Sequence, residues 1–434
     1  MNADRASTTV DLCQRPWRGV LPADAASAAI AVAVEVGERL RDADSAQRPS
    51  NAGRAVLFGQ LDRLLPEDGW AASSHACLAA AARTVEQAEH GYLGLFGGLC
   101  EVAFAADALS CNGTRYQRLL DGLDEAIAGS AAALGETVAR TPAGLPFAAF
   151  DAIAGLAGTC AYLLCRKEGP QAGTALRAVL TALVALCDEK DGLPNWHTPF
   201  EAMIPNTPMS RSYPTGVLNC GLAHGIPGPL AVLALAEAAG VSVAGQRDAI
   251  ARVARWLVAH RCDDEWGPNW PTGVALPDPT GSTPPAHGPT HNAWCYGSPG
   301  VARALWLAGI ALGDNALTEI AVATMVAVFR RPAAERRIDA SSGLCHGVAG
   351  LLQITLRFAH DTGDAVFTTA AAALTTQLLS MFEPERRFGY RALAESGPAT
   401  DDPSLLDGAA GVALALLAAA TDVPPSWDRT LLLA

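Results

Sequence analysis

This chain is poor in charge. Asp, Glu, Lys and Arg make up only 17% of its 434 residues, against 50% hydrophobic ones. What charge there is leans acidic, to a net −13, which excludes the basic face that nucleic-acid binding needs. Apolar runs such as Gly411–Ala420 stop short of a membrane span. The eleven cysteines are an odd, scattered set without the spacing of a disulfide framework. Met1-Asn2-Ala3-Asp4-Arg5 carries charge early and opens no apolar stretch of the signal-peptide kind. These absences point to a soluble protein of the reducing cytoplasm, most of whose thiols are small core residues. Length allows one large domain or two or three ordinary ones, and the apolar content can build a core without disulfides.

What is present is a repeat. A Gly-x-x-Gly turn followed by an Ala- and Leu-rich helix recurs at Gly155–Gly158, Gly225–Gly228, Gly297–Gly300, Gly347–Gly350 and Gly408–Gly411, with a degraded copy at Gly98-Leu99-Cys100-Glu101. Apolar helices such as Val301–Leu312 and Leu351–Ala359 follow the turns, and amphipathic ones such as Leu176–Cys187 and Asp248–His260 lie between them. Alternation of this kind predicts an all-α fold, an α/α toroid with an inner and an outer ring of helices. The glycines have a structural use that needs no chemistry: positive φ and close backbone approach where inner helices crowd. An early helix is expected over Ala25–Ala43. The proline-rich stretches Asp191–Pro214 and Trp266–Pro289 cannot form long helices and are expected as rim loops or short strands. The chain is expected as a single toroidal unit over 1–434, with 241–293 an inserted lobe or rim loops within it.

Registering the copies on their first glycine gathers the reactive side chains. Immediately before it stand His224, Tyr296, His346 and Asp407, and two before it stand Cys295 and Cys345. If every inner helix starts at one end of the toroid, these groups converge on one mouth. Cys295, Cys345 and His346 are three soft donors without a fourth, the pattern of a catalytic zinc site rather than a closed structural one. Adjacent Cys345 and His346 do not share a helix face, so they serve one metal only from a loop entering the helix. There the helix N-terminus is expected to lower both thiol pKa values. Cys100, Cys160, Cys165, Cys187 and Cys220 are assigned to the core. His224 is either a structural histidine or an acid/base. Asp151 is either a helix cap or its partner, and Asp407 is taken as a cap.

Asn219-Cys220-Gly221-Leu222-Ala223-His224-Gly225, Trp294-Cys295-Tyr296-Gly297-Ser298-Pro299-Gly300 and Leu344-Cys345-His346-Gly347 strongly resemble the lanthipeptide cyclase, or LanC-like, family. The resemblance runs from about Gly91 to the C-terminus and takes in Gly192–Trp196 and Gly267–Pro271. It implies seven inner and seven outer helices with a small strand-containing lobe, of the free-standing type that partners a separate dehydratase. It implies zinc on Cys295, Cys345 and His346, and proton transfer by His224 and Asp151. Tyr296 becomes a candidate for lining the cavity or hydrogen-bonding an enolate. The implied activity is addition of peptide cysteines to dehydroalanine or dehydrobutyrine in a dehydrated precursor peptide carrying a leader. Alternatives are addition of glutathione or another thiol to dehydrated residues, and a zinc-containing peptide-binding scaffold without catalysis. Helical-toroid glycosidases and terpene cyclases are weaker rivals, since no Asp-Asp-x-x-Asp motif is present. The chain departs from the family in two respects. His291 stands where an arginine is common, so enolate stabilisation falls to a histidine, and six helix starts are visible where seven are implied.

Overall fold

Two kinds of helix alternate along the chain, and composition decides which ring each joins. The computed structural model describes residues 16–42, 51–87, 92–140, 144–278, 281, 287–338, 340–393 and 399–434; Met1–Arg5, Ala43 and Gly91 lie outside these. In chain order the helices are α1 (Ala23–Arg41), α2 (Asn51–Leu64), α3 (Trp70–Glu86), α4 (Leu99–Ala108), α5 (Gln117–Arg140), α6 (Leu156–Cys165), α7 (Pro170–Leu186) and the short α8 (Pro208–Ser212). They continue with α9 (Pro227–Ala238), α10 (Gln246–Ala259), α11 (Ser298–Leu312), α12 (Asn315–Arg330), the short α13 (Ala333–Arg336), α14 (Val348–Thr362), α15 (Ala365–Ser380) and α16 (Ala409–Ala420).

Helices buried nearly all round form the inner ring. In α16, every residue from Ala409 to Ala419 is buried. The amphipathic α5 instead buries only a stripe, Leu120, Leu123, Asp124, Ile127, Ala131, Gly135 and Val138, at helical spacing. The inner ring closes: α2 packs on α4, then α6, α9, α11, α14 and α16 follow in turn, and α16 returns to α2. Each carries one outer helix, with α3 on α2, α5 on α4, α7 on α6, α10 on α9, α12 on α11, α15 on α14 and α1 on α16. The expected α/α toroid of seven pairs is therefore what the chain builds. Its seventh start is α2, where only the second glycine survives: a Cβ on Gly53 would stand 2.7 Å from Leu405 Cβ. Ser50 occupies the place of the first glycine in the sequence, which hides the copy from a motif search.

The glycines serve close approach more than unusual φ. Among the first glycines of the turns, Gly297 alone has positive φ, at 90°. Gly98, Gly155, Gly347 and Gly408 are extended, with φ between −100° and −125°. The second glycine lets the loop fold back over the helix it starts. A Cβ would stand 2.3 Å from the Ala152 carbonyl oxygen at Gly158 and 1.9 Å from that of Leu344 at Gly350.

These loops are also joined to one another. Leu95 N–H donates to Ile153 C=O (2.8 Å), Ala152 to Ala223 (3.0 Å), Ala223 to Cys295 (3.2 Å), Cys295 to Cys345 (3.1 Å) and Cys345 to Leu406 (3.0 Å). The chain of bonds satisfies loop amides that would otherwise be buried unpaired. It also holds equivalent positions of successive repeats at the same height around one mouth.

The irregular segments make the small lobe. Strands β1 (Glu189–Lys190) and β2 (Leu193–Pro194) form a hairpin, and β3 (Val217–Asn219) pairs antiparallel with β4 (Gly273–Ala275). Within 241–293, residues Gln246–Ala259 are the outer-ring helix α10 rather than lobe; rim structure begins after it and reaches back to β3. Among the described residues no helix is long and apolar enough to cross a membrane. At the far end of the ring Arg303, buried, pairs with Asp361 at 2.6 Å and donates to the Leu433 carbonyl, while Arg357 pairs with Asp428. These contacts hold the C-terminal segment against the inner helices.

Candidate active site

The site side chains expected from the sequence stand one, two, four or six places before the first glycine of a turn. Because the turns are hydrogen-bonded in series, those positions converge. Cys295 Sγ, Cys345 Sγ and a ring nitrogen of His346 all lie within 4.8 Å of one another. Cys345 and His346 occupy the turn that enters α14, not the helix itself, which is how adjacent residues reach one point. Trp294 Nε1–H donates to the Leu431 carbonyl (2.8 Å) through the core, anchoring the loop that presents Cys295.

The electrostatics of the cluster call for a cation. The hydrogen bond with Cys295, then burial, push the Cys345 thiol well above its ordinary range. Within the cluster itself, a second sulfur and burial outweigh the partial charge of the helix N-terminus. The hydrogen bond to Cys345 pushes the His346 imidazole up to about 9 against the opposing effect of burial. Three donors that compete for one positive charge fit a divalent metal, which ionises thiols outright. His346 Nε2–H donates to the Leu393 carbonyl at 3.1 Å, since a carbonyl can only accept. In the neutral ring that a metal requires, this leaves Nδ1 with the lone pair, and the bond to Leu393 is the usual outer contact of a ligating histidine.

Across the mouth, His224 Nδ1 lies 2.6 Å from Asp151 Oδ2. The carboxylate accepts, so Nδ1 carries the hydrogen and Nε2 is left to exchange a proton. Asp151 is buried, and its Oδ1 accepts from the backbone amides of Ile153, Ala154 and Gly155 at 3.1, 2.7 and 3.0 Å. Asp151 does not cap the helix, for no side-chain bond caps the start of α6; one oxygen holds the turn leading into α6, and the other faces the imidazole.

Tyr296 lies between the two histidines, its ring centroid 6.4 Å from that of His224 and 6.1 Å from that of His291. Its hydroxyl accepts from Asn219 Nδ2 at 3.2 Å. His291 turns toward the metal donors, with Nε2 3.6 Å from Cys295 Sγ. Asp407 is not a cap, for no side-chain bond caps the start of α16. Its Oδ1 instead faces His346 Nδ1 at 3.6 Å.

The sequence reading missed Asn219 and Phe147, whose ring stands 6.5 Å from that of His224. Asn219 shares with His291 the place six residues before the glycine, a register signal that could have found it. Phe147 has no such signal. A separate cavity of about 680 Å³ opens at the opposite end of the ring, lined by Arg63, Asp107, Cys165, Arg166 and Arg429 among others. Its guanidinium groups are engaged, Arg166 by Asp124 and Arg63 by the Ala108 carbonyl.

Fold and site together define a helical toroid with a two-cysteine, one-histidine donor set and a His–Asp pair at its mouth. The model of the family "Lanthionine synthetase C-like protein" matches residues 50–432, and the chain belongs to that family. The match begins earlier than the motifs do and includes α2, the start that lacks its first glycine. The nisin biosynthesis protein NisC of Lactococcus lactis subsp. lactis is 27% identical over 210 residues, 48% of this chain and 49% of that protein. The chain thus spans about half the length of this curated relative. The solved structure of a nisin cyclase shares the fold with a TM-score of 0.75 at 21% identity, covering 93% of this chain and 96% of that one.

Proposed function

We propose that this chain is a zinc-dependent cyclase. It adds cysteine thiols of a dehydrated precursor peptide to dehydroalanine or dehydrobutyrine, forming lanthionine or methyllanthionine rings. The observation that carries this is the juxtaposition, at one mouth, of the Cys295, Cys345 and His346 donors with the His224–Asp151 pair. Family membership, and relatives named for nisin biosynthesis and nisin cyclisation, supply the substrate class.

Bound by Cys295, Cys345 and His346, zinc would supply a Lewis acid that favours the peptide cysteine as a thiolate at neutral pH. The protein's own residues then handle the proton. His224 Nε2 takes the hydrogen of the incoming thiol. The sulfur forms its bond to the β-carbon, the C=C pair moves to the carbonyl oxygen as an enolate, and the same nitrogen returns the proton to the α-carbon. No atom is gained or lost overall, as a Michael addition requires. Asp151 holds the ring with Nδ1 protonated; four hydrogen bonds to its oxygens support orientation rather than direct proton capture. Tyr296, held by Asn219, lines the cavity where the enolate forms. The substrate peptide brings a leader, a separate dehydratase prepares it, and the work is done in the cytoplasm.

Metal content per chain tests the first half: about one zinc in wild type, and loss in Cys345→Ala. Incubation with a dehydrated, cysteine-containing peptide tests the second, with ring formation read as loss of alkylatable thiol by mass spectrometry. Metal-free wild type, or zinc-loaded protein that leaves every thiol alkylatable, sinks the proposal.

A further inference from the structure

His291 occupies the position where the family resemblance leads one to expect an arginine, and its geometry turns it toward a sulfur. Nε2 lies 3.6 Å from Cys295 Sγ, within hydrogen-bonding range for sulfur. On the other side of the ring, Thr290 Oγ1 lies 3.5 Å from Nδ1. A threonine hydroxyl can donate to Nδ1, and the neutral ring then carries its hydrogen on Nε2, aimed at the sulfur. The imidazole and the Tyr296 ring stand T-shaped to one another, at an interplanar angle of 77°. Cys295 itself is buried, so water does not solvate its sulfur freely. We infer that His291 is a positioning residue for the metal centre: its Nε2–H donates to the sulfur of Cys295 and stabilises that sulfur as a metal-bound thiolate. A long arginine would bring a fixed charge with several donors; a histidine brings one neutral N–H to one sulfur.

The inference rests on the proposed metal site, and its test reads the metal rather than turnover. Wild type, His291→Phe, His291→Gln and His291→Ala are loaded with cobalt(II), and their sulfur-to-metal charge-transfer bands and zinc affinities by chelator competition are compared. His291→Phe keeps an aromatic ring against Tyr296 and removes the donor. It is expected to lose about tenfold or more in zinc affinity, in the range for lost outer contacts of metal ligands, and to shift the band to longer wavelength. His291→Gln, which restores a neutral N–H, should recover much of both. Unchanged affinity and band in His291→Phe and His291→Ala overturn the inference while leaving the metal site intact. Wild type that takes up neither metal overturns both.

Discussion

The backbone amide of Cys295 donates to the carbonyl of Cys345 at 3.1 Å. The two sulfur donors belong to successive repeats, and this main-chain bond, rather than any side chain, brings them together. It is one link in the series that runs from Leu95 to Leu406. A metal site built this way inherits its geometry from the ring, and damage to the ring should reach the site.

The glycines of these turns are where such damage is sharp. In Gly158→Ala the new methyl would meet the Ala152 carbonyl oxygen at 2.3 Å, with Leu95 Cβ at 3.0 Å, and a backbone carbonyl has little room to yield. A loss of about 2–4 kcal/mol is expected in urea unfolding. Gly129→Ala, on the outer helix α5 with no atom within 4 Å of the new Cβ, should gain about 0.5–1 kcal/mol. Equal effects at the two sites would contradict the close-approach account.

His346→Ala and His224→Ala should separate metal binding from proton transfer. The first is expected to lose zinc and ring formation together. The second should keep about one zinc per chain and cyclise a dehydrated peptide at least about 100-fold more slowly. Normal cyclisation by His224→Ala would remove it from the mechanism.

Asp151→Asn keeps an acceptor for the turn amides at 2.7–3.1 Å but can offer His224 an amide N–H instead of an oxygen. The imidazole would then sit in the other tautomer. Folding stability should fall by no more than about 1 kcal/mol, while turnover drops by about two orders of magnitude or more. Loss of stability without loss of rate would make Asp151 a turn cap only.

Acid stability should depend on Asp361. Burial alone would push this carboxyl up, but Arg303 beside it, with His360 and Arg357, overrides burial and holds it at about 2. A folded value below the unfolded one of about 4 gives stability that is complete above pH 4 and lost as pH falls toward 2. The contribution is about 2 kcal/mol. Asp361→Asn should flatten the stability curve between pH 4 and 2. It should also cost about 3–5 kcal/mol at neutral pH, because Arg303 is left buried without its counter-charge. An unaltered acid limb would assign that loss to other carboxylates.

Sequence alone determined the class of fold and singled out the candidate donors Cys295, Cys345 and His346. Apolar and amphipathic helices alternate visibly, and Cys295, Cys345, His224 and His346 share a register with glycines that mark each helix start. Local signals of this kind are written into neighbouring residues. The seventh inner helix was hidden because Ser50 replaces its first glycine, although ring closure still requires α2 between α16 and α4. Tertiary structure alone decided what each polar group faces. It divided Asp151 between a turn and a histidine, turned Asp407 from a cap toward His346, and aimed His291 at a sulfur. Those pairings join residues from different repeats, and their distances follow from how seven helix pairs close into a ring, a long-range constraint that no local pattern records.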